Sequence, residues 1–89
     1  MIIKLLGYDC MDGIRLECIT NCVLTNLGVT ATLEKVPKRR ALKQYAIAAA
    51  PGLIINEDLV CAGRTPNVAE VTAWIVRALA REQPLQKAA

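Results

Sequence analysis

Residues 7–13, Gly-Tyr-Asp-Cys-Met-Asp-Gly, constrain this chain more than any other stretch, because they divide two patterns of different period. Before them, Ile2-Ile3-Lys4-Leu5-Leu6 is an apolar run short enough for a buried strand. After them, Leu16, Ile19, Thr20, Val23, Leu24 and Leu27 recur at i, i+3, i+4, i+7, i+8 and i+11. That spacing is one face of a helix over residues 11–27, with Gly28 placed to close its C-terminus. Cys10 therefore falls at a strand-to-helix turn, where a helix N-terminus favours a thiolate. It is the first position to examine for chemistry.

The rest of the chain alternates in the same way. Val29 to Val36 is rich in β-branched residues and reads as a second strand. Pro37 suits the start of a second helix, which carries Leu42, Tyr45 and Ala46 inward and must end before Pro51. Gly52 to Ile55 is a short buried strand, Asn56-Glu57-Asp58 a turn, and Leu59 to Ala62 the returning hairpin partner. Asn67, with Glu70 three residues on, starts a last helix whose apolar face is Val68, Val71, Ile75, Ala78 and Leu79. Pro84 ends the pattern, so residues 1–83 read as one domain and 84–89 as a tail. The order is β-α-β-α-β-β-α, and its first β-α-β unit requires a parallel pair with a right-handed crossover. A ferredoxin-like order would need two strands directly after the first helix, where the helical Leu42/Tyr45/Ala46 segment stands instead.

At 89 residues a single domain is expected. A net charge of +3 is too small to imply nucleic acid, and no apolar stretch reaches the length of a membrane span. The N-terminal apolar run lacks a basic leader, so a cytoplasmic protein with reduced thiols is expected. The four cysteines are Cys10, Cys18, Cys22 and Cys61, and the absence of histidine excludes Cys/His zinc sites. The cysteine spacing does not resemble a zinc knuckle pair, and no metal is expected. Cys18 and Cys22, four apart on a helix, are poorly placed for a mutual disulfide. Cys61, in an apolar strand, reads as a packed thiol.

Gly7 through Cys10 resembles the active-site loop of small thioredoxin-like redox proteins, in which Gly-x-x-Cys-x-x-Cys follows the first strand. Here Gly13 stands where that pattern has its second cysteine. Tyr45 to Pro51 resembles the same family's Tyr-Gly-Val/Ile-x-x-x-Pro segment, whose proline is cis. Ala62-Gly63-Arg64, followed by Pro66, resembles its turn before the last helix. These matches run in order and span about residues 1–80. The resemblance implies an α/β thioredoxin-like fold, a four-stranded mixed sheet flanked by three helices, with four loops gathered around Cys10. It also implies that Cys10 is the nucleophile and that the backbone of Ala50, before Pro51, pairs with substrate by strand addition.

The basic run Lys35, Lys38, Arg39, Arg40, Lys43 has two readings. It is either a solvated helix face or a positive rim beside Cys10. In the second reading Lys38 and Arg39, with Arg64 opposite, would hold the carboxylates of glutathione or of an acidic partner. Asp9 and Asp12 oppose a thiolate at Cys10. The resemblance implies a thiol–disulfide redox protein acting on protein or small-molecule disulfides by a monothiol route. It needs no resident cofactor, and glutathione is a candidate co-substrate. The alternatives are a redox-silent binding module and a monothiol iron–sulfur carrier using Cys10 from two chains. The glycine-rich signature of such carriers is missing. Cys10 is expected to be the only fast-reacting thiol, and helix propensity alone makes Gly13→Ala stabilising by up to about 1 kcal/mol. Physiological partner, reductant and oligomeric state are left open.

Overall fold

The computed structural model describes residues 1–45 and 47–82. Its elements are β1 (Ile2–Leu6), α1 (Met11–Leu27), β2 (Thr32–Val36), α2 (Lys38–Gln44), β3 (Gly52–Ile55), β4 (Asp58–Ala62) and α3 (Val68–Glu82). The sheet order is β2-β1-β3-β4, with β1 parallel to β2 and antiparallel to β3, and β4 antiparallel to β3. The expected element order and mixed sheet are both present.

The alternation of β1 builds a core on each face of the sheet. Ile3 and Leu5 face α1 and α3, where they meet Leu16, Val23, Leu53, Val71 and Ile75. Leu6 faces α2 and packs with Val36, Ala41, Ile47 and Ile54. The central strand β3 is covered on both sides, which is why Gly-Leu-Ile-Ile is buried throughout. On the α2 face Lys4 extends its ammonium to the Tyr45 hydroxyl at 3.5 Å and lies 5.4 Å from that ring's centroid. Thr20 is fully buried yet satisfied, because its hydroxyl donates to Leu16 O at 2.8 Å.

Helix ends and turns follow local chemistry. Gly28 takes φ 66°, its amide reaches Thr25 O at 3.1 Å, and the Val29 amide reaches Leu24 O at 2.9 Å. That is a Schellman closure. The β3–β4 hairpin turns through Asn56 and Glu57, whose φ values of 48° and 73° are those of a type I′ turn. Asn67 Oδ1 accepts from the Glu70 amide at 2.8 Å, while Glu70 Oε1 accepts from the Asn67 amide at 3.1 Å. The expected capping box is thus formed.

Several boundaries and faces differ from the sequence reading. β2 begins at Thr32, because the Schellman turn sends Val29 and Ala31 down onto the α1/α3 core before the strand starts. Val29 takes the contact expected of Leu27, which is exposed. α2 is one short helix ending at Gln44, and it buries Ala41, while Leu42 and Tyr45 lie at the margin of the α2-side core. Val68, at the first turn of α3, is exposed, and Val71, Ile75 and Ala78 make the buried face. Ala46, the 83/84 domain boundary and the tail at 84–89 lie outside the described residues.

Ile75 is fully buried and Val76, its neighbour, is exposed. Ile75→Ala should lower unfolding free energy by about 2–5 kcal/mol, and Val76→Ala by no more than about 0.5 kcal/mol. Urea midpoints of the two variants, read with an unchanged m-value, check the assignment of the core face.

Candidate active site

Leaving β1, the chain enters the left-handed region at Gly7, with φ 79°. The Gly7 amide donates to Val36 O at 2.7 Å, which fixes the turn to the end of β2. The Gly7 carbonyl points back at the start of α1 and accepts from the Cys10 amide at 3.1 Å and from Cys10 Sγ at 3.0 Å. Cys10 occupies the N-cap in extended conformation, and its carbonyl accepts from the Ile14 amide at 3.0 Å. Asp9 Oδ1 accepts from the Lys38 amide at 2.9 Å, so the loop is also tied to the first turn of α2.

The second wall is the stretch before β3. The Ala50–Pro51 peptide bond is cis, and Pro51 is fully buried. A Cβ placed on Gly7 would stand 2.7 Å from Ala50 Cβ, 3.6 Å from Pro51 Cα and 3.8 Å from Cys10 Sγ. The thiol and the Ala50–Pro51 unit therefore converge on Gly7. The Gly63 amide donates to Pro51 O at 2.8 Å, which brings the end of β4 to the same edge.

Gly13 overturns the expectation from helix propensity. A Cβ built there would overlap the Gly7 carbonyl oxygen and stand 2.7 Å from Gly7 C and 2.9 Å from Tyr8 Cα. These are backbone atoms held by the hydrogen bonds just described, and they cannot step aside as a flexible side chain can. The loop backbone rests on α1 at the position where a second cysteine would need room. Gly13→Ala is thus unfavourable here.

The charged candidates separate. Arg64 forms a bidentate pair with Glu70, Nη1 to Oε1 at 2.9 Å and Nη2 to Oε2 at 2.7 Å. Hydrogen bonds from Arg64, then from the Asn67 backbone, hold the Glu70 carboxyl down at about 2. The Arg64 fork is already engaged and does not stand as an unpaired anion holder. Its partner was visible in the sequence as the acid of the capping box. Lys35 is paired with Glu17 at 2.9 Å. Lys38 and Arg39 are exposed on the first turn of α2, and among the described residues neither forms an ion pair.

The other thiols also sort by environment. Cys61 is buried and directed at Arg64 O, 3.6 Å away. Burial pushes its thiol up, against the pull of the Arg64 charge, with Glu70 adding to the rise. Cys18 and Cys22 are exposed and Cys10 is only partly so, and access alone therefore does not single out Cys10. An apolar rim escaped the sequence reading: Tyr8, Met11 and Ile14 are exposed by 37%, 80% and 52%, all within four residues of Cys10. Their signal was that none of them falls on the Leu16/Val23 core face of α1.

A family model described as a thioredoxin domain matches residues 1–76. The chain belongs to the thioredoxin-domain family. Comparison with curated proteins and with solved structures gave no match. As a thioredoxin domain, it places one cysteine at the N-terminus of α1 beside Pro51, with glycine backbone contact where a second thiol would stand.

In this thioredoxin domain Gly13→Ala should destabilise by about 1–3 kcal/mol, as overpacking does. Urea unfolding reads it, and an unchanged or raised midpoint would show that the Gly7 carbonyl does not press on α1. The Glu70 carboxyl lies below its unfolded value of roughly 4.3. Its stabilising contribution is therefore present above that value and lost as pH falls through about 2. Glu70→Gln should remove this part of the acid limb, seen in thermal unfolding followed from pH 5 down to roughly pH 2.

Proposed function

We propose that this thioredoxin-domain protein carries out thiol–disulfide exchange through Cys10 alone, with a second thiol supplied from outside. The observation that carries the reading is the placement of Cys10 Sγ at the N-cap of α1, facing the same point as Pro51. A helix N-terminus lends positive potential to a sulfur anion there.

The step begins with the Cys10 thiolate attacking one sulfur of a disulfide R–S–S–R′. A Cys10–S–S–R bond forms, and R′–S⁻ leaves with the electron pair of the broken bond. No resolving thiol is within the loop, since position 13 is glycine. A small thiol such as glutathione, as its thiolate, then attacks the R sulfur and displaces Cys10 as thiolate. The two steps sum to an exchange: R′–S⁻ is released, R leaves as its mixed disulfide with the small thiol, and a second equivalent of that thiol is needed to reduce the mixed disulfide to R–S⁻. The exposed Lys38 and Arg39 suit the carboxylates of such a thiol, and Ala50 offers backbone to an extended partner. Tyr8, Met11 and Ile14 supply apolar area for a protein substrate.

A redox-silent binding module is the second reading. It is favoured by the hydrogen bond from Cys10 Sγ to Gly7 O, which makes the sulfur a structural link between loop and helix. Disulfide reduction assayed with and without glutathione separates the two. Exchange predicts turnover that requires glutathione and vanishes in Cys10→Ser. Absence of turnover in the wild type under both conditions, with the fold intact, assigns the silent module instead.

A further inference from the structure

The four exposed cations of α2, Lys38, Arg39, Arg40 and Lys43, outweigh the +3 of the whole chain, so all other residues together carry −1. α2 holds no acid, and among the described residues none of the four is in an ion pair. Their neighbour Lys35 differs, being paired with Glu17 at 2.9 Å. Arg39 and Lys43 stand at i and i+4, and Arg40 and Lys43 at i and i+3, so like charges face each other along the helix and repel. A surface charged only for solubility intersperses the two signs. A cluster that strains its own helix breaks a local rule, and such breaks belong to functional surfaces.

The place of α2 in the fold says what its charge meets. The Lys38 amide donates to Asp9 Oδ1 at 2.9 Å, which sets the first turn of α2 against the residue before Cys10. Met11, the residue after Cys10, is exposed by 80%, and Ile14 continues the apolar surface one turn along α1. Two acids stand nearby. Asp9 offsets one of the four cations, and Asp12, exposed between Met11 and Ile14, repels a further acid from the apolar side. The pair of carboxylates on glutathione leaves part of α2 unmatched and offers nothing to Met11 and Ile14. A polypeptide does both: at about 3.3 Å per extended residue, acids a few residues from a sulfur lying on Cys10 reach α2.

We infer that α2 and the Tyr8/Met11/Ile14 rim form one docking surface for a protein partner with an acidic segment. The partner's acids lie on α2 and its apolar residues on the rim. That this partner brings a disulfide rests on the exchange proposed for Cys10, whereas the docking of the acidic segment does not.

Binding is read on Cys10→Ser, which cannot exchange, by fluorescence anisotropy. The probes are three labelled peptides of one length and one apolar pattern, flanked by glutamate, glutamine or lysine. The glutamate peptide should bind at least roughly tenfold tighter than the glutamine peptide, and lose that margin between about 0.02 M and about 0.5 M salt. Adding Arg40→Glu and Lys43→Glu should reverse the order, so that the lysine peptide binds better than the glutamate peptide. Met11→Ser should weaken all three peptides by the same factor. These side chains are exposed, and circular dichroism verifies that the variants keep the fold. The inference is overturned by a glutamate peptide bound no better than the glutamine one, by a preference unchanged on charge reversal, or by a Met11→Ser that alters no affinity. A single-stranded oligonucleotide or an anionic vesicle bound tighter than the glutamate peptide at equal ionic strength also overturns it, and assigns α2 to nucleic acid or lipid. Wild type is assayed in parallel on a small neutral disulfide with glutathione. Glutamate preference without turnover there removes the exchange and leaves the docking surface standing, while turnover without preference does the reverse.

Discussion

The contact of the Gly7 carbonyl with the backbone of Gly13 is the constraint from which the rest of the site follows. Two glycines make it possible for different reasons. Gly7 is needed for its left-handed φ of 79°, which turns its carbonyl back toward α1. Gly13 is needed because any Cβ would occupy the place of that carbonyl. With the loop seated on the helix, the same oxygen accepts both the amide and the thiol of Cys10. The seat is held from outside by Val36 O on the Gly7 amide and by Asp9 on the Lys38 amide. Sheet, both flanking helices and the thiol are thereby joined through one seven-residue stretch.

The same contact bears on the glycine at position 13. The first turn of α1 leaves no room there for a side chain. The loop backbone fills that space, and position 13 is a packing position. Cys61 offers no substitute, since it is buried on β4 and faces Arg64 O. The loop around Cys10 therefore carries no second thiol.

The element order and the sheet were legible because each pattern in the chain has one dominant period. The apolar run of β1, the 3.6-residue period of α1 and the Asn67/Glu70 box each point to one structure, and each is formed. Faces were less legible where length was short. α2 has seven residues, and burial there is set by the meeting of Ala41 with Leu6 and Val36 rather than by its larger apolar residues. In the site, Cys10, Ala50 and Pro51 were placed together by the resemblance to thioredoxin-like proteins. The role of Gly13 was hidden, because propensity describes a helix alone and carries no word of a loop lying on it. The pairing of Arg64 was hidden for a similar reason: Glu70 was assigned to the cap, yet both of its oxygens also accept from the guanidinium.

The central claim is that Cys10 acts alone, and its most direct measurement is the fate of one disulfide bond. The reduced Cys18→Ser/Cys22→Ser variant, reacted with a chromogenic aryl disulfide in the absence of any other thiol, is followed by intact mass. A lone nucleophile predicts a stable mixed disulfide on Cys10, one aryl thiol released per chain, and discharge only when glutathione is added. An adduct that clears without added thiol, or a Cys10 that stays unmodified in the folded protein, would contradict it.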